Sequence, residues 1–119
     1  MDDLTKKHCL PCSGATPPLD QRTVNNLLKT LNTDWQANAD KKQIMREFRF
    51  KNYYQTMAFV NAIAWMTHQE NHHPDLEVGY NTCRVRYSTH AIGGLSENDF
   101  ICAAKVDEIF QPYVEFQQR

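Results

Sequence analysis

The sequence lacks three features that would each place it in a broad class of proteins. It has no run of about 18 apolar residues, the length that a membrane-spanning helix needs. It has no excess of charge of one sign, since the formal net charge is -1, so no strong field attracts nucleic acid or an anionic membrane. It has no internal repeat or low-complexity segment. We therefore expect neither a nucleic-acid partner nor a membrane partner.

The first twelve residues, MDDLTKKHCLPC, contain no apolar stretch of the kind that a secretory signal peptide has. We therefore expect a cytoplasmic protein. In that compartment thiols stay reduced, so disulfide bonds are not expected among the four cysteines: Cys9, Cys12, Cys83 and Cys102. With 119 residues, 41% of them apolar and 23% charged, the chain has the composition of an ordinary globular domain.

Glycine and proline are concentrated near the start of the chain, in CLPCSGATPP, which predicts an irregular N-terminal arm over residues 1–18. Residues 19–119 are expected to form a single domain, in which three segments have helical spacing. The first runs over 19–31 with Asp20 as its cap, and the second runs over 51–71 and is ended by Pro74. The third begins at the capping box Ser96-Glu97-Asn98-Asp99, and Pro112 should end or kink it.

Four shorter segments are typical of β-strands. One lies near Trp35, one is IMREFRF at 44–50, and two alternating runs at 76–80 and 83–87 form a hairpin. Arg46 interrupts the apolar face of the second strand. The order α-β-β-α-β-β-α predicts an α+β fold, a four-stranded antiparallel sheet with three helices packed on one face. The apolar stripe on helix 51–71 is wide enough to indicate burial against a second subunit as well.

Four of the five histidines lie between positions 68 and 90, which suggests either a metal site or an acid/base site. His68 and His72 have zinc-binding spacing, but Gln69 stands where a zinc protease has its glutamate. Glu70, two positions after His68, is rotated from it by about 200° around a helix and faces away. A catalytic zinc is therefore not expected.

The arm carries a C-x-x-C motif, Cys9 to Cys12, next to His8. A structural zinc site would need two further ligands of similar quality, and no second motif of this kind pairs with it. A thioredoxin-like role would need a strand before the motif and a helix after it. Two free thiols on the arm are the favoured interpretation.

Three imidazoles and one carboxylate remain: His72, His73, His90 and Asp99. Histidine exchanges protons near neutral pH, and no candidate nucleophile stands beside these residues. The pattern is typical of proton transfer without a covalent intermediate. The alternative is a polar surface in which Asp99 serves only the capping box.

The same segment resembles the pterin-4a-carbinolamine dehydratase family. The matching motifs are His68 followed by His72-His73-Pro74, then Tyr80-Asn81, Ser88-Thr89-His90 and Gly94-Leu95-Ser96-Glu97-Asn98-Asp99. The likeness extends back through Arg49-Phe50-Lys51 to Trp35 and covers roughly residues 20–115. The C-x-x-C arm is also similar to those of bacterial members.

The resemblance implies a lyase that removes water from 4a-hydroxytetrahydrobiopterin, or pterin-4a-carbinolamine, to give quinonoid dihydropterin. This step recycles the cofactor of aromatic amino-acid hydroxylases, as in phenylalanine hydroxylation, so such an enzyme is the expected metabolic partner. Family members use no metal or other cofactor and assemble as homodimers or homotetramers, which agrees with the wide apolar stripe.

The resemblance also assigns roles to individual residues. His72 and His90 are expected to exchange protons with the 4a-hydroxyl and N5, while His73 holds the pterin and Asp99 orients His90. Further contacts with the substrate are expected from His68, Tyr80, Ser88 and Thr89.

The chain departs from the family pattern at two positions. Many members have glutamate at the position of His68 and an aromatic residue at that of Leu76. Animal relatives also act as dimerisation cofactors of a transcription factor, so a protein-binding role for the helical face is the main alternative function. A metal-binding protein that uses Cys9 and Cys12 is the third.

Overall fold

The structure is a computed structural model, and it describes residues 3–117. Three helices and four strands follow the predicted order: α1 Gln21–Leu28, β1 Gln36–Ala37, β2 Ile44–Arg49, α2 Tyr53–Glu70, β3 Asp75–Val78, β4 Thr82–Tyr87 and α3 Glu97–Gln117. Single turns of 3-10 helix lie at Leu4–Lys6 and His90–Ile92. The predicted α+β fold is confirmed. No helix within the described part of the chain is long and apolar enough to cross a membrane.

The four strands form one antiparallel sheet in the order β1-β2-β4-β3. Phe48 of β2 lies opposite Cys83 of β4, and Val85 lies opposite Leu76 of β3. Alternate residues of β2 and β4 are buried because side chains on a strand point to the two faces in turn. The buried face supports the core together with apolar residues of α2 and α3, among them Phe59, Ile63, Phe100 and Val106.

Arg46, which interrupts the apolar pattern of β2, is buried as part of an ion pair. Its guanidinium donates a 2.7 Å hydrogen bond to Asp107 of α3 and lies 4.4 Å from the centre of the Phe48 ring. The indole N–H of Trp35 donates to the same carboxylate at 2.9 Å. A buried charge is tolerated here because it is both paired and stacked on an aromatic ring.

Two predictions about helix ends are corrected by the structure. Helix α2 ends before Pro74 is reached, because Asn71 adopts a left-handed conformation (φ 52°) and its N–H bonds to the Thr67 carbonyl. Asparagine is one of the few residues that adopt this conformation readily. Helix α3 continues past Pro112 to Gln117, so of the two expected effects of this proline, an end is excluded and a kink stays a prediction. The only backbone bond that Pro112 removes is to the Glu108 carbonyl, in a stretch of helix that is largely exposed.

Other local predictions are confirmed with shifted boundaries. Asp20 caps α1, accepting a 2.8 Å hydrogen bond from the Thr23 N–H, although the helix is shorter than the segment 19–31. The first strand begins one residue after Trp35. Tyr80 lies in the turn between β3 and β4 rather than in a strand, because pairing ends at Val78 opposite Cys83.

Candidate active site

A cavity of about 360 Å³ opens where the end of α2, the end of β4 and the start of α3 meet. Three of the predicted catalytic histidines line it, His72, His73 and His90, together with Ser88 and Thr89. One wall comes from residues 9–12 of the N-terminal arm. Among residues 3–117, no lysine or arginine lines the cavity. The cavity is therefore suited to a ligand without a strong negative charge.

His72, which lines this cavity, is fixed by a buried carboxylate behind it. Its Nε2 lies 2.7 Å from Oδ1 of Asp99, whose side chain is fully buried. The imidazole also stacks on Tyr87 of β4, with ring centres 5.8 Å apart and an angle of 11° between the planes. Because Nε2 is held by the carboxylate, Nδ1 is the nitrogen left to exchange a proton.

The other oxygen of Asp99 accepts two hydrogen bonds. Oδ2 lies 2.8 Å from the Thr89 hydroxyl and 3.0 Å from the backbone N–H of Ser96. The Ser96 and Thr89 hydroxyls lie 2.7 Å apart. The Thr89 hydroxyl has one proton, which it donates in the hydrogen bond to the carboxylate, so in the other bond the Ser96 hydroxyl must donate to Thr89. A chain of donors from Ser96 through Thr89 thus orients the carboxylate that holds His72.

The capping box at the start of α3 is half formed. The Asp99 carboxylate accepts a hydrogen bond from the Ser96 N–H, as a capping box requires. The Ser96 hydroxyl, however, bonds to Thr89 instead of to a helical N–H. The Asp99 carboxylate therefore both caps the helix and holds an imidazole. The prediction that it orients His90 is corrected, because its two oxygens are taken by His72, Thr89 and Ser96.

His73 and His90 are exposed at the edge of the cavity. His73 follows His72 directly and precedes Pro74. His90 begins a single 3-10 turn that Gly93 ends at a φ of 66°, a conformation that favours glycine. This turn is held by a backbone bond of 2.8 Å between Thr89 N–H and the Gly94 carbonyl.

Two predicted substrate contacts do not reach the cavity within this chain. His68 is exposed on α2, where its ring lies 5.8 Å from that of Trp65. Tyr80 is exposed in the turn between β3 and β4. Neither lines the cavity. Ser88 and Thr89 do line it, and Thr89 acts through Asp99 as described above.

Sequence reasoning did not assign the N-terminal arm to the site. Asn98 of α3 holds the arm at both polar groups of Leu10: its Oδ1 accepts from the Leu10 N–H at 3.0 Å, and its Nδ2 donates to the Leu10 carbonyl at 2.6 Å. The same Nδ2 lies 3.5 Å from Cys12 Sγ. These contacts span almost ninety positions of sequence, so no local pattern predicts them.

Glu70, at the end of α2, holds the arm from the other side. Its carboxylate accepts 2.8 Å and 2.9 Å hydrogen bonds from the Cys9 N–H and His8 Nδ1, and Lys105 Nζ lies 3.6 Å away. Burial acts to raise the pKa of Glu70, but these donors and charges outweigh it and lower the pKa below its ordinary value. The ionised carboxylate therefore stabilises the docked arm.

The C-x-x-C motif does not form a metal site in the part of the chain that the structure describes. Within residues 3–117 no three His, Cys, Asp or Glu side chains lie close enough together to hold a metal ion. Cys9 lies instead against Cys102 of α3, with 3.4 Å between the two sulfur atoms. All four cysteines are free thiols.

Comparison with known proteins agrees with this architecture. Residues 17–109 match the profile of the family described as pterin 4 alpha carbinolamine dehydratase. A relative from Nitrosomonas eutropha, provisionally named pterin-4-alpha-carbinolamine dehydratase, is 67% identical over 105 residues, 88% of this chain and 91% of its own. A relative from Nitrosospira multiformis with the same provisional name is 62% identical over 111 residues, 93% of this chain and 96% of its own.

Two solved structures are also similar. A transcriptional coactivator/pterin dehydratase from Brucella melitensis is 29% identical with a TM-score of 0.73, covering 77% of this chain and 97% of its own. A pterin dehydratase-like protein identified as a RuBisCO assembly factor in the alpha-carboxysome is 25% identical with a TM-score of 0.56, covering 64% of this chain and 88% of its own. The chain belongs to the pterin-4a-carbinolamine dehydratase family.

Proposed function

We propose that the protein removes water from a 4a-hydroxytetrahydropterin by histidine general acid/base catalysis. The observation that carries this proposal is the Asp99-bound His72 in a cavity whose edge holds two further imidazoles. Family membership implies a pterin as the substrate. The absence of lysine and arginine from the cavity lining is compatible with an uncharged pterin ring.

The reaction needs one proton donor and one proton acceptor. The C4a–O bond breaks as the hydroxyl takes a proton and leaves as water. The electron pair of N5 forms the C4a=N5 double bond, and the N5 proton is transferred to a base. The product is a quinonoid dihydropterin. No covalent bond to the protein is required, and the three imidazoles that line the cavity can supply the proton transfers.

His72 is best placed to be the base. With Nε2–H donated to Asp99, neutral His72 has its lone pair on Nδ1, and the buried carboxylate stabilises the imidazolium that forms when Nδ1 takes a proton. His90, exposed at the edge, is then the acid that protonates the leaving hydroxyl and regains its proton from solvent. His73, exposed at the edge of the same cavity, binds the pterin ring.

Variants of the two edge histidines test the proposal. The loss of 4a-hydroxytetrahydropterin, generated in situ by a hydroxylase, is followed in the ultraviolet for wild type, His73→Ala and His90→Ala. His90→Ala should lower kcat by about 10²–10⁴-fold, the usual contribution of a general acid. His73→Ala should raise KM more than it lowers kcat. Wild-type kinetics in both variants would rule out these roles.

His68→Ala serves as a comparison within the same experiment. Because His68 lies outside the cavity of its own chain, its removal should leave both kinetic constants within about twofold of wild type. A large loss of activity would mean that His68 completes the site of another subunit.

The expected physiological roles extend this proposal. We still predict that the protein acts in the cytoplasm, where it recycles the tetrahydropterin cofactor of an aromatic amino-acid hydroxylase. We also propose a homodimer or homotetramer that uses α2, since Tyr54 and Trp65 on this helix are 82% and 64% exposed. Light scattering at several protein concentrations tests the assembly, and a monomer at every concentration would contradict it.

Protein binding is the second candidate function. The exposed aromatic side chains of α2 favour it, and the two similar structures are those of a transcriptional coactivator/pterin dehydratase and of a RuBisCO assembly factor. A folded protein that does not accelerate dehydration would make this function the leading one.

A further inference from the structure

The two cysteines of the C-x-x-C motif are separated by the fold. Cys9 Sγ lies 3.4 Å from Cys102 Sγ, although the two residues are 93 positions apart in sequence. Cys12 Sγ contacts other groups, the Leu10 carbonyl at 3.9 Å and the Asn98 amide at 3.5 Å. The motif therefore contributes one thiol to a pair that joins the arm to α3.

We propose that Cys9 and Cys102 are an oxidation site, at which a reversible disulfide fastens the N-terminal arm to helix α3. A disulfide needs the sulfur atoms about 2 Å apart, so the pair must close by little more than 1 Å. The arm can supply this movement because near Cys9 it is held mainly by hydrogen bonds between its backbone and the side chains of Glu70 and Asn98.

The oxidant is a low-molecular-weight disulfide such as oxidised glutathione. Cys9, which is half-buried, attacks it and forms a mixed disulfide, releasing one glutathione thiol. The fully buried Cys102 then displaces the second glutathione thiol. The protein loses two protons and two electrons, and one oxidised glutathione becomes two reduced molecules.

The environment of the pair sets the rate of this reaction. The hydrogen bond with the Cys102 thiol, together with burial, raises the pKa of Cys9 above its ordinary value. The reactive thiolate is therefore scarce at neutral pH, and oxidation should be slow but faster as the pH rises. Such a site responds to a sustained change of thiol redox state rather than to a brief one.

The disulfide would act beside the candidate active site. Cys102 Sγ lies 3.8 Å from the backbone carbonyl of His72, and residues 9–12 form one wall of the cavity. Fastening Cys9 therefore fixes that wall. The oxidation site itself does not depend on dehydratase activity, so the two proposals can fail separately.

Peptide mapping tests the site directly. The full-length protein is incubated with oxidised glutathione at pH 8.5, alkylated, and digested with trypsin without reduction. Cleavage after Lys7, Arg22, Arg86 and Lys105 places Cys9 and Cys12 on peptide 8–22 and Cys102 on peptide 87–105. We expect these two peptides linked, with the loss of two hydrogen atoms.

Two variants identify which cysteine of the arm is used, because both lie on one tryptic peptide. The link should persist in Cys12→Ser and disappear in Cys9→Ser. The proposal is overturned by a link that survives in Cys9→Ser, by a disulfide within peptide 8–22, or by fully alkylated thiols after prolonged oxidation.

Limited proteolysis of the native protein tests the fastening of the arm. Trypsin cleavage after Lys7 should slow at least tenfold once the disulfide has formed, and dithiothreitol should restore the original rate. Cys9→Ser, treated in the same way, should show no change. An oxidised wild type that is cleaved as fast as the reduced protein would contradict fastening.

Discussion

Replacing Asp99 with asparagine should reverse one hydrogen bond in the site while keeping its shape. The backbone N–H of Ser96 can only donate, so the amide oxygen of the new side chain must take the position of Oδ2. The amide NH₂ group must then face Nε2 of His72. Nε2 then accepts a hydrogen bond instead of donating one. The ring is held in the other tautomer, with the proton on Nδ1, and His72 can no longer take a proton there.

The size of the effect follows from what is lost. Removal of a general base costs about 10²–10⁴-fold in kcat, while KM should change little because the cavity keeps its lining. Stability should fall by only about 1–2 kcal/mol, since all three hydrogen bonds persist and only their charge assistance is lost.

Kinetics and spectroscopy together measure this variant. Rates of 4a-hydroxytetrahydropterin loss give kcat and KM, and the nitrogen-15 shifts of the His72 ring report which nitrogen carries the proton. Asp107→Asn is the matched control, an aspartate on the same helix bound to Trp35 and Arg46, outside the cavity. An Asp99→Asn protein with kcat within threefold of wild type, or with the proton still on Nε2, would refute the reasoning.

Three further predictions follow from contacts around the site and in the core. Asn98→Ala should raise KM about tenfold, because two hydrogen bonds of roughly 1 kcal/mol each hold the arm against the cavity; an unchanged KM would show that the arm does not contact substrate. Arg46→Leu should destabilise the protein by about 3 kcal/mol in urea unfolding, since Asp107 loses its ion partner in a largely buried site; a loss under 1 kcal/mol would contradict this. The pKa of Glu70 is lowered in the folded protein, so its carboxylate stabilises the docked arm above pH 4.5, and this stabilisation is lost as the pH falls below that value. Arm amides, corrected for their intrinsic exchange rates, should therefore be less protected at pH 3.5 than at pH 6, and equal protection would argue against this linkage.

The fold was predictable because its signals are local. Alternation in IMREFRF marks β2, and the Ser96 box marks the start of α3. Even the buried Arg46 was visible as an exception, although its partner was not. Asp107 is 61 positions away in sequence, and no periodicity links a strand to one carboxylate on a distant helix.

The sequence predicted which residues form the site but not the hydrogen bonds among them. Sequence reasoning named His72, His73, His90 and Asp99, and the structure places the three histidines around one cavity with Asp99 behind His72. It assigned the Asp99 carboxylate to His90, which is near it in sequence, whereas the carboxylate binds His72, which is 27 positions away. The direction of a side chain, unlike its position in a motif, depends on tertiary packing.

The arm escaped prediction for a different reason. Its glycines and prolines indicate irregular structure, but nothing in their pattern places the arm beside the site. Backbone groups without a helix or sheet partner need other hydrogen bonds, and Glu70 and Asn98 supply them.

The most direct test of the proposed dehydratase activity is the rate at which the purified wild-type protein consumes 4a-hydroxytetrahydropterin. This rate is measured against buffer alone over a range of protein concentrations. We predict that the protein accelerates the loss of 4a-hydroxytetrahydropterin in proportion to its concentration. Asp99→Asn should largely abolish this acceleration, and Asp107→Asn should retain it. A folded wild-type protein that leaves the spontaneous rate unchanged would contradict this prediction, and would direct attention to the aromatic face of α2 and a protein partner.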